Sequence, residues 1–184
     1  MTDILPFDRT NTHIIEQAAT LLHTGFDGIS NAWPELDHAF AEVRAHTSVD
    51  HVAFMALAQE RLVGWISAYP QYNGHAWELH PLVVAPHARH RGIGRNLVHA
   101  LRSELHKRGA HTLFVWCDDE CAATSLSQIA LYPNPVAHLT QFDTSPPHAG
   151  GFYLKVGFVL SGLIPDANGP GKPDILFVQS VAHI

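Results

Sequence analysis

The segment Trp77–Gly94, with the sequence WELHPLVVAPHARHRGIG, runs from a strand pattern into a basic turn that contains two glycines. Within the strand, Glu78 and His80 are two residues apart and therefore point to the same face. A helical pattern follows directly. Backbone N–H groups in such a turn point to one spot, and the helix N-terminus adds positive potential, which favours a phosphate as ligand. The segment thus predicts chemistry at a strand end beside an anion-binding turn.

Two common phosphate-binding motifs do not fit this turn. The chain has no Gly-x-x-x-x-Gly-Lys-Ser/Thr sequence, which argues against a P-loop nucleotide enzyme. The dinucleotide fingerprint requires a third glycine, whereas Gly92–Gly94 is followed by Arg95–Leu97. What remains is a general phosphate site with positive charge from its arginines, and as a lone pattern it is a weak signal.

Length and charge limit the classes of protein. The 184 residues favour one domain, 1–184, and 46% hydrophobic residues are typical of an ordered globular protein. The sequence has neither an apolar run of the roughly 20 residues that a membrane helix needs nor a basic and apolar N-terminal leader. We therefore expect a cytoplasmic protein without a membrane partner. A net charge of −6 argues against nucleic acid and is compatible with a cationic partner.

Cysteines and histidines give no metal or disulfide pattern. Cys117 and Cys121 are the only cysteines and are expected to be reduced thiols. The fifteen histidines are scattered and include no His-Glu-x-x-His run. We therefore expect no catalytic metal ion.

Hydrophobic periodicity predicts alternating helices and strands. Strands are predicted over 4–7, 52–58, 62–69, 75–84, 111–116, 158–164 and 175–181, with a hairpin turn at 59–61. Helices are predicted over 12–25, 94–108 and 152–156, and a short one after 118–120. Thr12 is the predicted N-cap of the first helix. A further helix is predicted to begin at Pro34, with Leu36, Phe40 and Val43 as its apolar face. Residues 28–33 and 132–147 read as irregular. This order predicts a mixed α/β (α+β) domain with a central antiparallel run of strands.

A second motif lies downstream of the glycine turn. The turn has the pattern Arg-x-x-Gly-x-Gly after a strand that ends Val-x-Pro, and residues 152–158 read FYLKVGF. In this order the two motifs resemble the coenzyme loop and the aromatic-tyrosine segment of the GCN5-related N-acetyltransferases (GNAT). The resemblance implies the GNAT fold, with a mostly antiparallel sheet splayed at an acetyl-CoA site. It also implies coenzyme contacts at Leu82, Val83, Val84, Arg89, His90, Arg91, Gly92, Ile93, Gly94, Arg95 and Lys155.

The resemblance extends to one branch of that superfamily. The segments 77–84, 118–119, 124–127, 152–158 and 164–175 are similar, in order, to those of the bacterial aminoglycoside 6′-N-acetyltransferases, and 33–35 and 70–72 look like further family pieces. Departures from the family pattern occur at Cys117, Gly151 and Asp166. They leave the acceptor preference open.

The resemblance implies a role for each catalytic candidate. Glu78 would accept the proton that the acceptor ammonium must lose before it attacks, and His80 would position water or the amine. The N–H of Leu82 would stabilise the oxyanion, and Tyr153 would protonate the departing thiolate. The residues by themselves also allow a surface carboxylate, a structural histidine and a packing tyrosine.

An aminosugar acceptor carries several positive charges, so acidic and aromatic side chains are complementary to it. The candidate acceptor-binding residues are Trp33, Glu35, Tyr72, Glu78, Asp118 and Asp119. Asp118 and Asp119 are equally compatible with helix capping.

The function implied by the resemblance is acetyl transfer from acetyl-CoA to the 6′-amine of aminoglycosides, which inactivates these antibiotics and confers resistance. The resemblance also implies that the protein is a homodimer. Two alternatives remain. The first is a GNAT enzyme that acetylates a different amine, namely a polyamine, an amino acid or a protein N-terminus. The second is a non-catalytic acyl-CoA-binding module.

Overall fold

The computed structural model describes residues 2–28 and 32–182, so residues 29–31 of the predicted loop lie outside the described part. The chain divides into two compact units, Met1–Leu113 with Val181–Ile184, and Phe114–Ser180. The single domain stays a prediction. Among the described residues, no helix combines the length and apolar character that a bilayer-spanning helix requires.

The first unit contains four antiparallel strands in the order β1 (Asp3–Pro6), β2 (Val52–Ala58), β3 (Arg61–Gln71) and β4 (Ala76–Val84). Gln59 and Glu60 connect β2 to β3 with φ of 50° and 64°. Positive φ at both positions is typical of the tight turns whose twist matches a hairpin. The predicted hairpin is confirmed.

Three helices accompany these strands: α1 (Thr12–Phe26), α2 (Leu36–Ala45) and α3 (Ile93–Lys107). The N-cap of α1 is Asn11 rather than the predicted Thr12, because the Asn11 side chain accepts hydrogen bonds from the N–H groups of His13 and Ile14. Helix α3 packs closely on the sheet. A Cβ at Gly64 of β3 would lie 3.0 Å from Leu97 Cδ1, so the glycine permits this approach.

Helix α2 differs from its prediction in both its start and its buried face. It begins at Leu36, two residues after Pro34, and Glu35 is its N-cap residue. Leu36 is 39% exposed, whereas Ala39 and Val43 are fully buried. The prediction is thus confirmed for Val43 and wrong for Leu36, and the helix packs against α1 with Ala39 and Val43 as its buried residues.

The second unit contains the strands β5 (Thr112–Asp118, whose first two residues belong to the first unit), β7 (Asp174–Ser180) and β6 (Val159–Ile164), in that order. Strands β6 and β7 are antiparallel. Two short helices, α4 (Pro135–His138) and α5 (Gly150–Lys155), complete it. Residues 132–147, predicted as irregular, include α4 and a single 3-10 turn.

The short helix predicted after residues 118–120 is wrong. Residues 119–134, all of which the structure describes, form turns, and Thr124 makes an isolated β-bridge with Thr144. The cause is Asp119, whose carboxylate accepts the N–H groups of Ala123 and Thr124. A side chain that satisfies these donors stabilises a turn in place of a helix.

Candidate active site

Strand β4 presents one half-exposed face and one buried face. Glu78, His80 and Leu82 are partly exposed, and they alternate with buried Trp77 and Leu79. This alternation follows from the pleat of a β-strand. The two polar side chains of the opening segment therefore share the accessible face, as the sequence predicted.

Glu78 has a partner that the sequence analysis missed. Tyr69 of β3 lies directly opposite Glu78 in the antiparallel pairing, so their side chains are neighbours on one face. Burial raises the pKa of Tyr69, as do its side-chain hydrogen bond to Glu78 and the negative charges of Glu78 and Glu42. The phenol therefore stays protonated and donates to the carboxylate, which fixes the orientation of Glu78.

A β-bulge lies at His80. The pairing passes from Ile66 with Leu82 to Ala68 with Leu79, so that Ser67 alone faces both His80 and Pro81. A bulge leaves one residue of the longer strand unpaired and changes the direction of its side chain. Here it gives His80 a position that a regular strand would not provide.

His80 lies beside Glu42, which is in helix α2, and His46, which is the C-cap residue of that helix. These three residues are named the His–Glu cluster (Glu42, His46 and His80). Glu42 Oε1 lies 2.9 Å from His46 Nε2 and 3.2 Å from His80 Nε2. The hydrogen bonds from His46 and His80 hold the pKa of Glu42 well below its usual range, against the opposing effect of burial. The carboxylate is therefore ionised at neutral pH.

Aromatic residues line the same region of the first unit. The Trp33 ring lies 5.8 Å from the His80 ring and makes an edge-on contact with Phe26 at 4.8 Å. Of the other acceptor-binding candidates, Glu35 is exposed at the start of α2, and Tyr72 is 76% exposed in the 3-10 turn before β4. Of these three candidates, Trp33 is the one for which a contact with His80 is observed.

The glycine turn leads directly into α3. Gly92 is the N-cap residue of α3 with φ of 80°, and it has no side chain with which to cap the first N–H groups of the helix. Arg89 donates from Nε to the Val84 carbonyl at 3.1 Å and from Nη2 to the Gly25 carbonyl at 2.9 Å. Arg91 and Arg95 are exposed. Arg89 therefore organises the turn, and its predicted coenzyme contact has to coexist with these two bonds.

In the second unit, the two adjacent aspartates have different surroundings. Asp118 is exposed and accepts a hydrogen bond from Asn168 Nδ2 at 2.6 Å. Asp119 is 1% exposed, and its carboxylate accepts from Ala123, Thr124 and the Ser127 hydroxyl. Asp119 therefore stabilises a turn, which leaves Asp118 as the more accessible of the two for binding an acceptor.

Tyr153 lies in α5 and is almost fully buried. Its ring packs edge-on against Phe152 and Phe158, each at 5.2 Å. Burial raises the pKa of Tyr153, and the neighbouring Cys117 adds to this effect. Tyr153 is therefore a protonated phenol at neutral pH, as an acid must be, and it also packs in the core of its unit. Lys155, on the same helix, is exposed.

The sequence matches the family model described as acetyltransferase (GNAT) family over residues 16–134. The chain belongs to the GNAT acetyltransferase family. This confirms the resemblance that the glycine turn and the 152–158 segment carried, and the seven strands and flanking helices found among residues 2–28 and 32–182 confirm the predicted fold class. No curated protein sequence matches this GNAT chain.

Three solved structures are similar to this GNAT protein over nearly its whole length. An aminoglycoside 6′-N-acetyltransferase complexed with coenzyme A is 36% identical, with a TM-score of 0.89 and 97% of each chain covered. The aminoglycoside 6′-N-acetyltransferase from Enterococcus faecium is 35% identical, with a TM-score of 0.88 and the same coverage of both chains. Aminoglycoside 6′-acetyltransferase type Ii is 31% identical, with a TM-score of 0.75 and 97% of each chain covered.

The sequence analysis did not identify the residues that contact Glu78 and His80 in this GNAT protein, namely Tyr69, Glu42 and His46. Tyr69 lies near the end of β3, and antiparallel pairing of this strand with the next strand, β4, places it opposite Glu78. Glu42 and His46 are four residues apart, which places them on one face of a helix. That spacing is visible in the sequence, whereas their approach to His80 depends on how α2 packs.

Proposed function

We propose that this GNAT protein transfers the acetyl group of acetyl-CoA to the 6′-amine of aminoglycosides and thereby inactivates them. The observation that carries the proposal is the similarity, at 35–36% identity over 97% of the chain, to two aminoglycoside 6′-N-acetyltransferases, one of them complexed with coenzyme A. Among the described residues, an ionised Glu42 and a Glu78 oriented by Tyr69 support a cationic acceptor on the β4 face.

The reaction begins with removal of a proton from the acceptor ammonium. In the proposal Glu78 takes this proton, directly or through a water, and the Tyr69 hydroxyl keeps the carboxylate aimed. His80 positions the amine or the water. The nitrogen lone pair then forms a bond to the thioester carbon, and the carbonyl electrons move to oxygen, where the Leu82 N–H stabilises the charge.

Collapse of the tetrahedral intermediate breaks the carbon–sulfur bond. The electrons on oxygen re-form the carbonyl, and the pair of the broken bond leaves on the coenzyme sulfur, which takes a proton from the Tyr153 hydroxyl in this proposal. The proton that the attacking nitrogen still carries is released to solvent, and the Tyr153 phenolate takes a proton back from solvent. Coenzyme contacts are proposed at Leu82, Val83, Val84, Arg89, His90, Arg91, Gly92, Ile93, Gly94, Arg95 and Lys155, with the phosphates at the start of α3. Acceptor contacts are proposed at Trp33, Glu35, Tyr72, Glu78, Asp118 and Asp119.

The experiment is a measurement of acetyl-CoA-dependent product formation across amines. Kanamycin, tobramycin, spermidine and an N-terminal peptide are compared by kcat/KM, and the acetylated position of each product is mapped by NMR. We expect aminoglycosides to be favoured, with the acetyl group on the 6′ nitrogen. An aminoglycoside pair that differs only in a 6′-amine or a 6′-hydroxyl is the matched control. Equal turnover of spermidine and aminoglycosides would overturn the proposal.

We further propose that the protein acts in the cytoplasm as a homodimer, as the resemblance implies. Sedimentation equilibrium of the full chain tests the assembly, with a mass of twice 20.2 kDa expected. Fractionation of expressing cells tests the location. A monomer at micromolar concentration, or recovery outside the cytoplasm, would contradict the corresponding statement.

A further inference from the structure

The His–Glu cluster has a geometry that its place in the acetyltransferase does not require. Two imidazoles from different elements direct their Nε2 atoms at the same carboxylate oxygen, Glu42 Oε1, at 2.9 Å and 3.2 Å. All three candidate ligand atoms lie within 4.8 Å of one another. Two imidazole nitrogens and one carboxylate oxygen this close together form a nitrogen and oxygen ligand set of the kind that binds a transition-metal ion in proteins.

The separations suit a tetrahedral ion. Zinc binds nitrogen and oxygen at about 2.0–2.2 Å, so its ligand atoms lie roughly 3.3–3.5 Å apart. The two contacts to Glu42 are already close to this separation. Metal binding requires the 2.9 Å contact of Glu42 with His46 to lengthen by a few tenths of an ångström, and the His80 side chain, at 43% exposure, has room to move. The other two ligands are more enclosed, at 4% for His46 and 26% for Glu42.

Ser67 provides the supporting shell for one ligand. Its hydroxyl lies 2.9 Å from His46 Nδ1, and the residue is fully buried. A carboxylate only accepts hydrogen bonds, so in the metal-free protein Nε2 of His46 donates to Glu42, and the rotatable Ser67 hydroxyl adapts to whichever role Nδ1 takes. With metal on Nε2 the proton moves to Nδ1, and the rotatable hydroxyl turns to accept it. The same contact therefore serves both states.

We propose that Glu42, His46 and His80 bind one divalent transition-metal ion, with zinc as its preferred occupant. Two imidazoles and a carboxylate are a ligand set suited to zinc, and three protein ligands leave a fourth position for water. Two ligands come from one face of α2 and its C-terminus, and the third comes from the bulge in β4. The sequence-based expectation of no metal considered only spacing along the chain, and the third ligand is contributed by a distant strand.

Calorimetric titration of the full chain, freed of metal with a chelator, tests the site with zinc chloride. We expect one tight site per chain in the wild type. Ser67→Ala should weaken it by about 10–100-fold, the usual effect of losing the outer-shell partner of a ligand. His80→Gln removes a direct ligand and should weaken zinc binding more than the loss of an outer-shell partner does, by about 100-fold or more. His80 is half-exposed, so its replacement does not threaten the fold as a change at buried His46 would.

Scattered histidines are the main competing source of zinc binding, because the chain contains fifteen. The control is His75→Gln, which breaks an exposed pair whose rings stack at 5.6 Å with His111. This variant should retain the tight site. Cobalt serves as a second probe, since a tetrahedral site with nitrogen ligands gives strong visible absorption that His80→Gln should abolish. Wild-type affinity in His80→Gln, or loss of the site in His75→Gln, would overturn the proposal.

A consequence that rests on the proposed function is inhibition by zinc, because the ion would hold His80 Nε2. Product formed by the wild type, followed by mass spectrometry, should fall over the zinc range in which the calorimetric site fills and recover with chelator. Full activity at saturation would remove this consequence while the binding site stands. The two proposals fail independently, because calorimetry detects zinc binding without turnover. Absence of zinc binding would contradict the metal site, and absence of acetyl transfer would contradict the proposed function.

Discussion

Replacement of Asp119 tests whether this residue stabilises the fold or binds the acceptor. Oδ1 accepts the Ala123 N–H at 2.8 Å, and Oδ2 accepts both the Thr124 N–H at 2.9 Å and the Ser127 hydroxyl. In Asp119→Asn one oxygen becomes an NH₂ group. Either orientation of the amide then places a donor against a backbone donor, since Ser127 can turn to accept but the N–H groups cannot.

The cost follows from these contacts. A buried N–H left without an acceptor costs about 1–3 kcal/mol, and hydrogen bonds to a charged group contribute roughly 1.5–3 kcal/mol each. We expect Asp119→Asn to lower the free energy of unfolding by about 2–4 kcal/mol, and Tm by roughly 5–15 °C at this chain length. Urea unfolding followed by fluorescence, with thermal scanning, measures both.

The control is the neighbouring Asp118→Asn, which changes an exposed carboxylate with a hydrogen bond from Asn168. Its effect on stability should stay below about 1 kcal/mol. If Asp119→Asn unfolded with the wild-type midpoint and instead raised KM for the acceptor, the structural role would be refuted.

The same substitution has a pH signature. Burial would raise the pKa of Asp119, but hydrogen bonds from Ser127, Thr124 and Ala123 outweigh it and lower the pKa below its ordinary value. A lowered folded-state pKa contributes stability above the unfolded pKa of about 3.9. The stability difference between wild type and Asp119→Asn should therefore be constant near neutral pH and shrink as the pH falls below about 4.

Three further substitutions test the site and the packing. Glu78→Gln should lower kcat by about 10²–10⁴-fold with unchanged acetyl-CoA affinity, measured by product formation and calorimetry; a wild-type rate would remove Glu78 as the base. Gly92→Val should cost about 1–2 kcal/mol of stability because φ is positive, and should also weaken acetyl-CoA binding about tenfold or more. The control is Gly109→Val at the other end of α3, where φ is 79°, so the backbone strain is similar but acetyl-CoA affinity should be unchanged. Equal acetyl-CoA affinities of the two variants would contradict a phosphate site at Gly92. Gly150→Ala should destabilise by about 1–3 kcal/mol, because its Cβ would lie 2.8 Å from a buried phenylalanine ring carbon, whereas Gly151→Ala, at 3.7 Å from its nearest neighbour, should be nearly neutral; equal melting temperatures would contradict this packing.

The glycine turn and the strand that carries Glu78 and His80 could be predicted because their signals are local. Alternation places Glu78 and His80 on one face whatever the strand packs against. A glycine at the start of α3 is likewise demanded by a backbone with φ of 80°. The motif order between residues 77 and 158 then identified the family.

The errors arose where side chains compete with backbone propensity. Residues after Asp118 had the composition of a helix start, but the buried carboxylate of Asp119 satisfies N–H groups in a turn instead. For helix α2 the predicted apolar face is Leu36, Phe40 and Val43. Val43 is buried as predicted, but Leu36 is exposed and the small Ala39 is buried instead. Propensity describes a segment alone, and burial depends on what the segment meets.

The sequence by itself determined the fold class, the glycine turn before α3 and the face on which Glu78 and His80 lie, because these depend on periodicity and on backbone geometry within short segments. The tertiary structure alone decided what those two residues contact. Tyr69 reaches Glu78 through strand register, and Glu42 and His46 reach His80 because α2 packs beside a bulge in β4. Such contacts join residues far apart in the chain, and no local pattern specifies them.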